Sequence, residues 1–241
     1  MGDKPYKFKD IDVEGMVTLE AIDKADHFNE WMYQTIKPFC GKKILEIGSG
    51  IGNISKYFVR DGYDITLTDI RSNYCEILSE KFSQSPVIQM DLVHEDFDNK
   101  YSNLFDSFDT VYALNVVEHI KDDNQAIINA KKLLKKDGTL VILVPAYQCL
   151  FNGFDVALEH YRRYNITQLN TLMSAHTSIV HSQYFNAAGI FGWVLSGSIL
   201  KKQTIPEGQM SIFNKLVFVF KLMDKIIFNK IGLSVISVGR K

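Results

Sequence analysis

The sequence predicts an α/β fold built on a parallel, doubly wound sheet, and three observations carry that prediction. From Lys43 to about Ala146, short β-branched apolar runs alternate with longer amphipathic segments, the pattern of successive βαβ units. The first apolar run feeds directly into a glycine-dense turn, Gly48-Ser49-Gly50-Ile51-Gly52, and then into a helical segment. The second and third runs each close on an aspartate, Asp69 and Asp91, at the strand ends where open α/β sheets bind ligands.

Taken in order, the polar stretch Met1 to Lys9 lacks the apolar run of a signal peptide, and Tyr6 stands where a myristoylation signal needs Ser or Thr. Val17 to Ile36 sets Leu19, Ile22, Ala25, Phe28, Trp31 and Thr35 at helical spacing. That spacing predicts one helix across the open end of the core, closed by Pro38 and Gly41, so residues 1–40 read as a helical cap. Strands are predicted at Lys43–Ile47, Asp64–Thr68, Val87–Met90, Thr110–Leu114 and Thr139–Val144, with helices near Gly52–Arg60, Ser72–Phe82 and Asp123–Lys135. Asp137-Gly138 reads as a helix stop before the fifth strand. Residues 147–241 then hold a polar loop, a helix near Thr167–Ala175, a strand near Ser178–Tyr184, a further helical region and a last strand at Leu233–Val238. No proline- or serine-rich linker interrupts residues 1–241, which read as one domain with its βαβ core at 41–146.

The 46% hydrophobic and 23% charged composition excludes a disordered chain, and 27 Lys+Arg against 28 Asp+Glu argues against a nucleic-acid partner. Cys40, Cys75 and Cys149 are odd in number, with no zinc-ligand spacing and no disulfide pattern, which fits a reducing cytoplasm. Thr177 to Leu200 is uncharged but too polar for a bilayer span. The near-neutral total hides an asymmetry. Leu200 to Lys241 carries eight Lys+Arg and two acidic residues, a local +6, which leaves −7 for everything before it. Phe213, Leu216, Val217, Phe220, Met223, Ile226 and Ile227 recur there at helical spacing among Lys215, Lys221 and Lys225. Such a helix either packs on its own domain or a subunit partner, or lies on an anionic membrane surface and receives a lipid-linked substrate.

The glycine spacing is Gly-x-Gly-x-Gly rather than the Gly-x-Gly-x-x-Gly of dinucleotide binding, and no Walker Lys-Ser/Thr follows. Asp69 can accept from both hydroxyls of a ribose, and Asp91 from an adenine amino group with Leu92 or Ile70 as an apolar face. Singly, each aspartate reads equally as a helix cap or a solvated loop residue. Their coincidence with the glycine turn at three successive strand ends points to a ligand.

These residues, with Phe108-Asp109-Thr110-Val111-Tyr112-Ala113-Leu114-Asn115-Val116-Val117-Glu118-His119-Ile120 and Leu133 to Leu140, resemble class I S-adenosylmethionine-dependent methyltransferases over roughly Lys43 to Ala146. The resemblance implies a Rossmann-like seven-stranded sheet of order 3-2-1-4-5-7-6 with the last strand antiparallel, and S-adenosylmethionine as cofactor without a metal. Gly48, Ser49, Gly50 and Gly52 would lie under the cofactor's methionine part, Asp69 on the ribose, Asp91 with Leu92 at the adenine and Asn115 at the sulfonium end, with Asn53, Ile70, Val116 and His119 among the further cofactor contacts. Glu46 would order the turn. Glu118 and His119 read either as an N-terminal cap or as packing against the cofactor, and Asn115 also reads as a simple strand-end turn.

After the fifth strand comes Leu150-Phe151-Asn152-Gly153-Phe154-Asp155-Val156-Ala157-Leu158-Glu159-His160-Tyr161-Arg162-Arg163-Tyr164, holding two of the chain's five arginines. His160 can deprotonate a hydroxyl, and Arg162 or Arg163 can grip a carboxylate or phosphate. Tyr164, and Trp31 from the cap, complete the expected acceptor contacts. In the alternative reading this loop folds back on the core, with one arginine on Asp155 or Glu159 and His160 bonded to backbone. The stretch resembles a bacterial methyltransferase subgroup frequent in polysaccharide and lipid-carrier biosynthesis. No Asn/Asp-Pro-Pro-Tyr tetrad follows the fourth strand, which disfavours DNA adenine methylation, and no second acidic cluster suits an arginine acceptor. The expected activity is methyl transfer to an oxygen of a small or carrier-linked, anionic or sugar-like acceptor. N-methylation of an amino-sugar or small amine, RNA methylation, and a non-catalytic cofactor-binding protein stand as the alternatives.

Overall fold

The computed structural model describes residues 12–202 and 207–241; the stretch Met1–Lys9, with Tyr6, lies outside the described residues. Helices α1 (Val13–Asp23) and α2 (Asp26–Ile36) precede β1 (Lys43–Ile47), α3 (Ser55–Arg60), β2 (Asp64–Asp69), α4 (Ser72–Lys81) and β3 (Val87–Gln89). There follow α5 (Phe97–Lys100), β4 (Phe108–Leu114), α6 (Asp123–Leu133), β5 (Leu134–Pro145), α7 (Gly153–Ala157) and α8 (Ile166–Ser174). The chain closes with β6 (Ser178–Phe185), α9 (Ala187–Trp193), a π turn at Val194–Ile199, α10 (Glu207–Ile226) and β7 (Ser234–Arg240).

The seven strands form one sheet in the order β3-β2-β1-β4-β5-β7-β6, as expected. The pairs β1–β2, β1–β4, β2–β3 and β4–β5 are parallel, whereas β7 runs antiparallel to both β5 and β6. Alternation along the strands sends side chains to two cores. On one face Leu45, Ile47, Val111 and Ile142 pack with Ala126, Ile127 and Leu133 of α6 and Leu169 of α8. On the other, Ile44, Leu67, Tyr112 and Leu143 pack with Ile36 of α2, Phe58 of α3, Leu78 of α4 and Val217 of α10.

Two elements depart from the sequence reading. The single cap helix expected over Val17–Ile36 is two helices, broken at Lys24 and the buried Ala25, whose N–H bonds the Ile22 carbonyl at 2.9 Å. The break lets each helix bury a different face: α2 puts Trp31, Met32, Tyr33 and Ile36 into the core, while α1 lies over the glycine turn. Asn29 ties the two by donating to the Ile22 carbonyl at 2.7 Å. The second departure is at α6, which ends at Leu133 rather than at Asp137-Gly138. Buried Leu134 is already extended and paired with Phe108, and the register then shifts, so that Asp137, at φ 63°, belongs to a bulge within β5.

Trp31, expected at the acceptor, is instead a core residue, its ring 4.4 Å from that of Phe185 and 7% exposed. Helix α10 is fastened by the buried Asp224, which accepts from the N–H groups of Asn186 at 2.7 Å and Ala187 at 3.0 Å at the start of α9. Removing that acceptor strands two backbone donors. Asp224→Ala is therefore expected to lower the unfolding free energy by about 2–3 kcal/mol in urea titrations, with α10 losing amide protection first.

Candidate active site

The glycine turn is held open by its neighbours. Gly48, Gly50 and Gly52 all have positive φ (69°, 55° and 82°), a region costly for other residues. At Gly48 the turn also meets the segment after β4: a Cβ there would stand 2.5 Å from Val116 Cγ2. Ser49 stitches the turn to β2, donating its N–H to the Thr68 carbonyl at 2.8 Å and accepting the Thr68 N–H on Oγ at 3.2 Å. Asp69 accepts the Gly50 N–H at 2.9 Å and the Arg71 N–H at 3.0 Å. Burial raises its pKa above the usual carboxylate value, against the pull of those two N–H groups.

Glu46 lies beneath the turn and takes a hydrogen bond from the Ser55 hydroxyl. Its burial pushes its pKa up to about 7, which Ser55 only partly offsets, so it is placed to order the turn from below. Asn53 donates to the Leu19 carbonyl at 2.9 Å, and Leu19 borders Gly50, so α1 roofs the turn. Arg71 and Asp12, 3.3 Å apart, fasten the start of α1 to the loop after β2.

Asp91 accepts the Val93 N–H at 2.9 Å and keeps part of its surface open. Leu92 is 4% exposed and packs into the α6-side core, whereas Ile70, the other expected adenine face, is half-buried. Asn115, at φ 55°, is exposed where β4 ends, its N–H on the Leu143 carbonyl at 2.8 Å. The turn Val117–His119 then presents Glu118 and His119 to the loop that follows β5.

That loop folds back on the core. The Tyr161 N–H bonds the Glu118 carbonyl at 2.8 Å, and Tyr147 and Tyr164 pair through a 2.7 Å backbone bond. At its centre Asp155, fully buried, receives Arg163 Nε at 2.8 Å and His160 Nδ1 at 2.8 Å on the same oxygen. Burial favours the neutral acid, but the His160 and Arg163 contacts hold the Asp155 pKa below its usual value. Arg163 also donates to the Ala146 carbonyl at 3.1 Å and lies over the Trp193 ring at 4.3 Å.

The expected acceptor anchors are thus engaged in scaffolding. Arg163 is 3% exposed within the Asp155 cluster. Arg162 pairs with Asp123 at 2.5 Å and donates to the Lys121 carbonyl at 2.8 Å, and the Tyr164 hydroxyl bonds Asp123 at 2.8 Å. The fold-back reading placed an arginine on Asp155 correctly. It missed that His160 bonds the Asp155 side chain rather than backbone.

Glu118 was named in the sequence only as a cap or packing residue. It is fully buried, and neither carboxylate oxygen has a hydrogen-bond partner among the described residues. Burial, softened by the Arg163 charge, pushes its pKa up to about 8. The His119 and His160 rings meet edge to face at 4.6 Å. His119 is reached by solvent, yet the protein packed around it and the charges of His160 and Arg71 hold its pKa well below the ordinary value. One ligand atom from each of Glu118, His119 and His160 falls within 4.8 Å of the others, a set able to share a proton or to offer three ligands to a cation.

Because the folded pKa of Glu118 lies above its ordinary 4.5, its contribution to stability is complete below pH 4.5 and is lost as pH rises through about 8. Glu118→Gln removes the ionisation. Its melting temperature should exceed that of the parent above pH 8, by on the order of 5 °C, and the gap should close toward pH 4.5.

Residues 45–142 match the family described as a methyltransferase domain. The mitochondrial ubiquinone biosynthesis O-methyltransferase of Schizosaccharomyces pombe is 30% identical over 128 residues, covering 52% of this chain and 46% of the relative. The chain spans about half the length of the curated relatives it matches. Among solved structures, an S-adenosylmethionine-dependent methyltransferase from Mesorhizobium loti superposes with a TM-score of 0.60 at 14% identity, covering 90% of this chain and 100% of that one. The 1,6-didemethyltoxoflavin-N1-methyltransferase of Burkholderia thailandensis, solved with S-adenosylhomocysteine, gives 0.55 at 16% identity, covering 92% and 80%. The segment from Leu45 to Ile142 thus matches the methyltransferase-domain family, and the sheet around it shares the fold of the solved S-adenosylmethionine-dependent methyltransferases on which the chain superposes.

Proposed function

We propose that this chain transfers a methyl group from S-adenosylmethionine to an oxygen of a small or carrier-linked acceptor, with His160 as the general base. The observation that carries the reading is the 2.8 Å Asp155–His160 pair, set beside the turn that follows β4. The names of the curated relatives, ubiquinone biosynthesis O-methyltransferases, support oxygen as the methylated atom.

The residues present fit the cofactor. The turn offers bare backbone at Gly48 and Gly50, Asp69 stands buried at the end of β2, and Asn115 is exposed at the end of β4. Asp69 would hold the ribose, Asp91 the adenine amino group with Ile70 as its apolar face, the turn with Asn53 the methionine part, and Asn115, with Val116 and His119 nearby, the sulfonium side. When bound, S-adenosylmethionine supplies a methyl already electrophilic on its sulfur, so the chain's principal task is alignment, which can contribute about 7–11 kcal/mol.

The acceptor proton is the chain's second task. Asp155 takes the Nδ1–H of His160, which fixes the tautomer and leaves Nε2 as the basic nitrogen. Arg163 on the same oxygen keeps Asp155 ionised, so the proton rests on the imidazole and the carboxylate stabilises the resulting cation. With Arg162 and Arg163 paired to Asp123 and Asp155, an anionic group on the acceptor would need another partner.

His160→Ala is expected to lower kcat by about 10²- to 10⁴-fold while the affinity for S-adenosylhomocysteine, read by calorimetry, stays unchanged. A variant with nearly full turnover would favour an amine that arrives neutral. A parent protein that binds neither S-adenosylmethionine nor S-adenosylhomocysteine would overturn the enzymatic reading altogether. Turnover should also survive EDTA; its loss on chelation and return with a divalent cation would reassign Glu118, His119 and His160 as a metal site.

A further inference from the structure

Helix α10 has two apolar faces, and only one of them is covered. Its inner face carries Met210, Val217 and Asp224, all buried, with Phe213 against Phe28 of α2 at 5.7 Å between ring centres. Its outer face carries Ile212, Leu216, Phe218, Val219, Leu222 and Ile226, between 43% and 80% exposed. A helix apolar on both sides is normally sandwiched, and a contiguous exposed apolar stripe marks a contact surface. Further exposed apolar side chains flank the helix in sequence: Phe228 and Ile231 follow α10, and Ile199 and Leu200 leave the π turn, all more than half exposed.

Charge selects the occupant. Lys215, Lys221, Lys225 and Lys230 lie along or beside this stripe, and none makes an ion pair among the described residues. The carboxylate of α10 whose side chain is described, Asp224, points inward to the α9 backbone. A second copy docked isologously would set these lysines against its own, whereas a negatively charged surface would pair with them. No helix among the described residues is long and apolar enough to cross a membrane. We propose that the outer face of α10, with the end of the π turn, docks on an anionic phospholipid bilayer, lying in its headgroup layer.

This surface is wired to the acceptor loop. Trp193, at the end of α9, donates to the Leu150 carbonyl at 3.0 Å and lies under Arg163, and Asn152 bonds Ser198 in the π turn at 3.2 Å. The docked face and the loop holding His160 therefore move as one packed unit, which sets an acceptor embedded in the same bilayer close to the base. That last step rests on the proposed methyl transfer; the docking does not.

The test is co-sedimentation of the full chain with vesicles of phosphatidylcholine alone or with phosphatidylglycerol added. Binding is expected with phosphatidylglycerol, falling as salt rises, and near background without it. Lys221→Ala with Lys225→Ala should weaken it by about 25-fold. Leu222→Asp with Ile226→Asp should abolish it while S-adenosylhomocysteine affinity and the melting temperature hold, which separates lost docking from lost folding or catalysis. Background binding to both vesicle types overturns the proposal, as does equal binding to both. A concentration-dependent dimer that Leu222→Asp dissolves would likewise overturn it, assigning the face to a second copy.

Discussion

A buried carboxylate organises the loop that follows β5. Asp155 has no access to water, and an isolated charge in that position would cost several kcal/mol. It is tolerable because Arg163 and His160 both close on one of its oxygens while the other accepts the N–H of Asn152 at 2.9 Å. Each partner is fixed in turn. Arg163 cannot leave without exposing Trp193 and the Ala146 carbonyl, and His160 cannot rotate without breaking the bond that sets its tautomer. One electrostatic requirement thereby pins a loop of more than fifteen residues to the end of β5 and leaves His160 at its inner edge.

The glycine turn solves a different problem, close packing of bare backbone against its neighbours. It does so with glycines whose missing side chains would otherwise collide with Val116, Leu19 and Phe82. Those three neighbours come from the segment after β4, from α1 and from the end of α4, so the turn is shaped by the whole parallel half of the sheet. Glu46 and Asp69 lie below and beside it as carboxylates biased toward protonation by burial, each steadied by donors from the adjacent chain. The two regions meet at the turn Val117–His119, where the Glu118 carbonyl accepts from Tyr161 and its carboxyl, without a hydrogen-bond partner among the described residues, lies beside the two histidines.

Much of the parallel half was legible because it obeys local rules. A buried strand must be apolar, a turn with positive φ must be glycine, and a strand end facing a ribose profits from an acid, so Lys43–Ile47, Gly48–Gly52 and Asp69 announce themselves. The break at Ala25 did not, because periodicity runs through it and only the different targets of α1 and α2 require it. The early end of α6 was hidden likewise: Leu134 suits a helix locally, but its pairing with Phe108 across the sheet decides for strand. Leu92 and Trp31 read as ligand contacts from their position and chemistry, and both were taken by the core.

By itself the sequence determined the sheet, its glycine turn, the acidic residues at the strand ends and the asymmetry between an acidic body and a basic tail, because each follows from periodicity, composition or a single residue's conformational limits. Tertiary structure alone decided which partner each charged group of the loop would take. Adjacent arginines are equivalent on paper, and only the packed fold sends Arg163 inward to Asp155 and Arg162 outward to Asp123. It also decided which face of α10 remained uncovered. Both faces are apolar in the chain, and the distinction arises only when α2 and the sheet claim one of them.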